Sequence, residues 1–187
     1  MSGNFKRAWL IVTFLTLAVG ISGCSKCVKF NAIPPSTQWG TPAGHSSGDV
    51  VHTEDGINVS VHNFGTTGSN LGHTEIGPSF MSSGEQAIKT EGLNLGFDFS
   101  DLGFTPATVE VIFRDTGGTE NISVNGSPII YGQLASGSTG GVTWTVSDTP
   151  EPGNPNNRTG TVTINGDIQM LKIGGQEFWI DSVCAKE

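Results

Sequence analysis

Basic side chains are scarce in this chain of 187 residues, which has 9 Lys and Arg against 17 Asp and Glu and a formal net charge of -8. Lys6 and Arg7 belong to an N-terminal leader, so 7 basic residues (9 − 2) remain beside the 17 acidic ones. Nucleic acid and anionic lipid both require a basic face for binding. The deficit therefore argues against either as a partner, whereas it permits bound cations.

Also missing is any amphipathic helical pattern longer than a turn or two. Charged residues make up only 14% of the chain, while glycine occurs 27 times. Low charge with abundant Gly, Thr and Ser favours a β-rich secreted domain. The length is sufficient for one such domain, and the chain shows no repeat of fixed period.

The N-terminal leader has the features of a secretory signal. Its basic pair precedes an apolar run over residues 8–19, which is too short to span a membrane comfortably. Ile21-Ser22-Gly23-Cys24 follows, and this order of residues resembles the lipobox of bacterial lipoproteins. The resemblance implies a helical signal peptide, cleavage before Cys24, and acyl chains on that cysteine that anchor the protein in a membrane. The alternative is an ordinary signal peptide cut near Gly23.

The lipobox divides the chain into three parts. The signal peptide covers residues 1–23, and residues 24–48 hold the lipidated cysteine, a first strand at 27–30 and a Pro/Gly-rich loop. Residues 49–187 form the main domain, to which the first strand also belongs. In such lipoproteins Ser25 after the lipidated cysteine favours the outer membrane, so we expect an anchor in the cell envelope that faces the periplasm or the exterior.

Three cysteines occur in the chain. If Cys24 carries lipid, Cys27 and Cys184 remain as a pair outside the cytoplasm, where thiols oxidise. The sequence therefore predicts a Cys27–Cys184 disulfide that ties the first strand to the last; two free thiols are the alternative.

Alternation of apolar and polar residues predicts most of the strands. Leu93, Leu95, Phe97 and Phe99 give the clearest half-buried pattern. Nine or ten strands are expected in all. Turn residues predict the hairpin connections, which are Glu54-Asp55-Gly56, Asn125-Gly126 and Gly174-Gly175. Proline, glycine and polar residues predict loops at 31–47, 65–84 and 149–160.

The chain ends in Phe178-Trp179-Ile180-Asp181-Ser182-Val183, followed by the last cysteine. This segment resembles the closing strand of jelly-roll modules, including galactose-binding-like and carbohydrate-binding ones. The resemblance implies an all-β, antiparallel jelly-roll β-sandwich whose first and last strands are neighbours. It also implies a structural calcium ion where those strands meet, with Asp181 and Asn31 as oxygen donors. Alternatively, Asp181 caps a turn or pairs with Lys29.

Two further metal sites are candidates. The acidic segment 115–121 contributes Asp115 and Glu120 as calcium ligands, unless it is a plain connecting turn. The histidines are clustered in one third of the chain, and with a carboxylate they provide the ligand types of a zinc site. These histidines are His45, His52, His62 and His73. His52 and His62 lie in the two strands of one predicted hairpin; solvated surface histidines are the alternative.

Aromatic and amide side chains point to a sugar-binding face. Trp179 is the preferred aromatic platform because it alternates with the apolar Phe178 and Ile180, whereas Trp144 continues an apolar row and is expected in the core. The remaining candidate ligand-binding residues are Tyr131, Asn94, Asp98 and Arg114.

Together these features favour a lipid-anchored envelope protein that binds or adheres without catalysis, with a glycan or another envelope protein as partner and calcium as the cofactor. One rival is a small metal-dependent hydrolase that uses the histidines. The other is a purely structural surface protein.

Overall fold

The computed structural model describes residues 24–65, 71–81 and 84–187, and the signal peptide predicted over 1–23 lies outside these ranges. Within them the fold is all-β, as predicted, but it has thirteen strands rather than nine or ten. The only helical elements there are 3-10 turns at Thr41–Ala43 and Ser100–Leu102. No helix in the described ranges is long and apolar enough to cross a bilayer.

All strand pairs are antiparallel and form one continuous hydrogen-bonded sheet. The strands are β1 Ser25–Val28, β2 Gln38–Gly40, β3 Val50–Glu54, β4 Ile57–Asn63, β5 His73–Pro78, β6 Gln86–Asp98, β7 Thr108–Asp115, β8 Glu120–Val124, β9 Ile130–Gly132, β10 Gly137–Thr139, β11 Val142–Glu151, β12 Asn154–Asn165 and β13 Met170–Lys186.

Two long strands, β6 and β13, organise the sheet. The first half of β6 pairs with β5 and its second half with β4. On one edge β13 pairs with β6 and then β1, and on the other edge with β8 and then β7. Both strands bend where the pairing changes, at Gly92 (φ 68°) in β6 and Glu177 (φ 60°) in β13. Because an irregular residue turns the strand direction, the sheet folds over itself and becomes sandwich-like.

The core lies between the inward rows of these strands. Leu95 and Phe97 of β6 lie opposite Ile173 and Leu171 of β13, and all four are fully buried. At the bend Phe178 stacks on Phe113 of β7, with ring centroids 5.4 Å apart. Each such side chain stabilises the fold by roughly 1.5–3 kcal/mol through removal of apolar surface from water.

The two ends of the domain meet as predicted. β1 pairs with the end of β13, Cys27 lies opposite Cys184, and the two form a disulfide across 157 residues of sequence. Glu54 at the end of β3 accepts hydrogen bonds from the backbone N–H groups of Lys29 and Phe30, at 3.1 and 3.2 Å. The segment after β1 is therefore also held against the end of strand β3.

The predicted Gly174-Gly175 hairpin turn is wrong. β13 runs through both glycines without a break, and neither has a positive φ. Glycine is needed at position 174 because a Cβ there would lie 2.8 Å from the Asn94 Cα on β6. A pair of glycines thus marks close strand contact here rather than a turn.

Sequence alternation also fails at the end of β13. A bulge between Ile180 and Ser182 shifts the register, so Val183, which strict alternation would put on the face of Trp179, enters the core. Trp144 is buried as predicted.

The loop predicted at 149–160 is a hairpin of β11 and β12. This part of the hairpin has no alternating apolar residues from which strands could be predicted. Ion pairs stabilise it instead. Arg158 binds both carboxylate oxygens of Asp148 at 2.6 Å, while Arg114 of β7 binds Glu151 at 2.7 and 2.8 Å. The predicted turns at 55–56 and 125–126 are confirmed, since both residues of each have positive φ.

Candidate functional site

Trp179 lies on the outer face of β13, opposite the core residues Phe178 and Ile180, and its side chain is half-buried. The strand register places Lys89 of β6 directly beside it on one side and Arg114 of β7 on the other. Two of the predicted ligand-binding residues, Trp179 and Arg114, are therefore neighbours. We call Trp179, Lys89 and Arg114 the tryptophan face.

Small residues allow the indole ring to lie close to the sheet. A Cβ at Gly77 of β5 would lie 3.1 and 3.3 Å from two ring carbons of Trp179, so the ring reaches across β6 to that glycine. Ala87 of β6 lies opposite Gly77 and is fully buried. A larger side chain at position 77 would displace the ring, and the flat pose therefore depends on the glycine.

Both cations of the tryptophan face are held in place by carboxylates. Lys89 pairs with Glu91, and Arg114 forms its two-bond contact with Glu151. Because the Lys89 and Arg114 hydrogen bonds stabilise the charged carboxylates, the pKa values of Glu91 and Glu151 are lowered. The half-buried ring thus lies over β6, the strand that carries the fixed Lys89–Glu91 pair, while the Arg114–Glu151 pair lies on the other side of β13. An aromatic ring with hydrogen-bonding side chains on its own face of the sheet is the chemistry that a sugar ring requires.

The other predicted ligand-binding residues lie elsewhere. Asn94 and Tyr131 occupy one row across the sheet, with Gly174 and Asn121 between them. The Asn121 amide donates to the Phe64 carbonyl at 2.7 Å and to Asn94 Oδ1 at 3.3 Å. The amide nitrogens of Asn94 and Asn121 are occupied by hydrogen bonds, whereas Oδ1 of Asn121 is buried without a partner. Asn121, buried within this row, was not a sequence candidate.

Asp98 has a structural role. Its Oδ1 accepts the backbone N–H of Ser100 at 2.9 Å, at the start of the second 3-10 turn. It therefore caps a turn and belongs neither to the tryptophan face nor to the row that contains Asn94 and Tyr131.

The four histidines are held by separate partners. His45 Nδ1 accepts the Gly40 N–H, His52 stacks on Trp39 and contacts Glu54, His62 contacts Ser60, and His73 contacts Glu91. His52 lies opposite the core position Val59, whereas His62 lies opposite Asn94, so the two histidines of the hairpin do not face each other. In the part of the chain that the structure describes, no three His, Cys, Asp or Glu side chains form a group able to hold a metal ion.

His62 was predicted as a zinc ligand, but its partner Ser60 was missed. Its Nε2 lies 2.9 Å from Ser60 Oγ, and both lie over Gly96, where a Cβ would come within 2.6 Å of that nitrogen. Burial and the nearby Lys172 cation lower the pKa of His62 to about 4, so the imidazole is neutral at physiological pH.

Asp181 lines a cavity that Asn31 does not line, although both residues lie near Gln86. Asp181 accepts a hydrogen bond from Ser79, and it lines a cavity with Glu85, Gln86 and Lys29. Asn31 Oδ1 accepts the Gln86 N–H at 2.8 Å. Burial and Glu85 raise the pKa of Asp181. The lysine in this cavity supplies a positive charge of its own, which disfavours a bound cation there.

Asp115 and Glu120 are brought together more closely. They end β7 and begin β8, both are buried, and they line one cavity with Gly117 and Gly118. The sequence signal for this arrangement is the alternation along each strand. Asp115 continues the inward row of Val109, Val111 and Phe113, and Glu120 begins the inward row of Ile122 and Val124.

Residues 44–48 read Gly-x-Ser-x-Gly, the pattern of a nucleophile elbow. That elbow requires a strand before the serine and a helix after it. Here the segment leads into strand β3, and the Ser46 N–H is bound by Asp49 at 2.7 Å. The context does not match the elbow.

The chain matches no family model, no curated protein and no solved structure. The interpretation of function therefore rests on the geometry of these side chains.

Proposed function

We propose that this protein is a lipid-anchored envelope module that binds glycans, without catalysis, through the tryptophan face. The observation that carries the proposal is the half-buried Trp179 ring, which extends over β6 to Gly77 from a position flanked by Lys89 and Arg114 on the two neighbouring strands. A sugar ring presents an apolar C–H face that packs on such an indole, and its hydroxyl groups need donors and acceptors at the rim.

The arrangement of the rim supports binding of a neutral or weakly charged sugar. Each cation of the face is already paired with a carboxylate, so the local net charge is small. A strongly anionic polymer would have to compete with Glu91 and Glu151 for the same cations. The fixed ion pairs also reduce the loss of side-chain freedom on binding.

The membrane anchor is the second part of the proposal. Cys24 is exposed, has a free thiol and immediately precedes β1, so a lipid at this position would not disturb the core. Its carbonyl accepts a hydrogen bond from the Glu187 N–H at 3.4 Å, so Cys24 lies beside Glu187. The outer-membrane location and the jelly-roll connectivity remain predictions.

A glycan array tests the binding function. The full chain, expressed with its leader and purified in mild detergent, should bind a subset of glycans. Trp179→Ala should abolish that binding, and Trp179→Phe should retain part of it because a flat ring remains. Tyr131 is an exposed aromatic residue in the separate row that contains Asn94. Tyr131→Ala is therefore the matched control and should leave binding intact. A blank array, or loss only in Tyr131→Ala, would contradict the proposal.

Metabolic labelling tests the anchor. Radiolabelled palmitate should be incorporated into the natural chain and not into Cys24→Ala, which should also leave the detergent phase in a phase-partition experiment. Equal labelling of the two proteins would rule out Cys24 as the acylated residue.

The histidine-based hydrolase is less well supported, since the described histidines are bound to different partners. The calcium ion predicted at Asp181 and Asn31 stays a prediction.

A further inference from the structure

The loop between β7 and β8 brings two carboxyl groups to one point. Both strands pair with the same edge of β13, Asp115 opposite Phe178 and Glu120 opposite Gly175. Residues 116–119 cross the bend of β13 between these positions. Thr116 donates to the Glu177 carbonyl and the Gln176 N–H donates to the Thr119 carbonyl at 3.0 Å, so the loop is fixed to that bend.

Both carboxyl groups are withdrawn from water, with Glu120 2% and Asp115 7% exposed. Asp115 Oδ1 accepts the Gly117 N–H at 2.8 Å, and Glu120 Oε2 accepts the Leu134 N–H at 3.3 Å. The second oxygen of the glutamate, Oε1, is buried and has no hydrogen-bond donor. A buried carboxylate oxygen without a partner destabilises a fold unless a ligand or proton satisfies it.

A cavity of about 460 Å³ opens at this pair. Besides the two carboxyl groups it is lined by Gly117, Gly118, Gln133 and Asn156, which offer backbone and amide oxygens. Arg158 also lines it, and its charge acts on Asp115, but both of its bonded nitrogens are held by the Asp148 carboxylate, which offsets that charge. Glu177 lies close to Gly117 and adds a further negative charge. The other polar residues described at this cavity carry amide groups and backbone carbonyls.

Burial and the charge of Asp115 raise the pKa of Glu120 to about 7. The unpaired Oε1 of Glu120 and the neighbouring Asp115 carboxyl group border the same cavity, so a cation placed there would contact both groups.

We propose that Asp115 and Glu120 hold a calcium-class divalent cation in this cavity, with amide, carbonyl and water oxygens completing its coordination. Calcium accepts six to eight oxygen ligands in flexible geometry, and a site with only two carboxylates suits its chemistry better than that of zinc. The site goes beyond glycan binding and does not depend on it.

Calcium titration of the full chain in detergent tests the site, with terbium luminescence as a second readout. After treatment with a chelator, the chain should bind one calcium ion near pH 8 with an affinity on the order of 0.1–1 mM, as extracellular modules do. About 5 mM calcium should raise the melting temperature at pH 8 and have much less effect near pH 5.5, where the proton competes.

Two variants locate the ion. Glu120→Gln keeps the shape of the protonated side chain, so it should fold, yet calcium affinity should fall at least tenfold. Asp181→Asn is the matched control on the other predicted calcium site and should bind as the natural chain does. A Glu120→Gln protein with unchanged affinity, calcium binding lost only in Asp181→Asn, or no calcium effect at pH 8 would each overturn the proposal. Glycan binding is measured in the same variants, so that a loss of calcium binding can be distinguished from a loss of glycan binding.

Discussion

At the residue scale, the pose of the Trp179 ring depends on Gly77, two strands away across the sheet. No pattern in the sequence connects the two positions, because a sheet's cross-strand neighbours are set by register and not by spacing. The alternation of Trp179 with Phe178 and Ile180 predicted which way the ring points. It did not predict what lies beneath the ring.

Gly77→Ala tests this dependence. The added Cβ would lie 3.1 Å from the nearest ring carbon, so the indole must tilt away from the sheet. We expect glycan affinity to fall several-fold while the free energy of unfolding changes by less than about 1 kcal/mol, because the site is on the surface. Titration of an array-identified glycan measures the first quantity and urea unfolding the second.

The control for this variant is Thr145→Ala, an exposed position on β11 that leaves the tryptophan face untouched. Equal affinities for the natural chain and Gly77→Ala would show that the ring pose does not matter.

At the element scale, irregular residues rather than regular strands create the cation site. The inward rows of β7 and β8 were predictable, since Val109, Val111 and Phe113 alternate cleanly. The bend of β13 at Glu177 was not, because a bulge has no apolar signature. The sequence therefore predicted Asp115 and Glu120 as candidate ligands. It could not show that β13 bends between Gly175 and Phe178, the residues that pair with them. The same limitation produced the false Gly174-Gly175 turn.

Gly118→Ala tests the loop that joins β7 and β8. Gly118 has φ 95°, and a Cβ there would lie 2.6 Å from Gln176 Cβ and 2.8 Å from its carbonyl oxygen. Backbone strain and contact together should lower the free energy of unfolding by about 2–3 kcal/mol and weaken calcium binding. Urea unfolding with and without calcium measures both effects.

Gly126→Ala separates strain from contact. Gly126 also has a positive φ (73°), but a Cβ there would have no atom within 4 Å. It should therefore lower stability by only about 1 kcal/mol, from backbone strain alone. Similar losses in the two variants would mean that the contact with Gln176 is unimportant.

At the scale of the whole molecule, the disulfide joins strands that are distant in sequence. The sequence predicted it correctly from cysteine count and compartment. Replacing both Cys27 and Cys184 with alanine should lower the free energy of unfolding by about 4–5 kcal/mol, because a closed loop of 157 residues restricts the unfolded chain.

Urea unfolding of the oxidised chain and of this double variant measures the difference. Reduction of the natural chain should give the same loss. A loss well below 2 kcal/mol on both routes would show that β1 is held by its strand pairing and the Glu54 contacts alone.

Buried Glu120 and half-buried His62 make the stability of the whole domain depend on pH in opposite directions. Glu120, ordinarily near 4.5, has its pKa raised to about 7, so between those values the folded chain keeps a proton that the unfolded chain has lost. Its contribution to stability therefore decreases as pH rises through that window. His62, ordinarily near 6.5, has its pKa lowered to about 4, so its contribution decreases as pH falls from 6.5 towards 4.

Between about pH 4.5 and 6.5 the two effects oppose each other, and single variants should expose them. In chelator, Glu120→Gln should lose more stability than the natural chain on acidification through this range, by up to about 1.4 kcal/mol per pH unit, because the opposing Glu120 effect is removed while the other shifted groups, Asp181 among them, stay the same. His62→Gln, which keeps a partner for Ser60, should lose more stability than the natural chain as pH rises, because the opposing His62 effect is removed. The natural chain should change less than either variant. Urea unfolding at several pH values measures the three slopes, and parallel profiles for all three proteins would show that neither group is perturbed by folding.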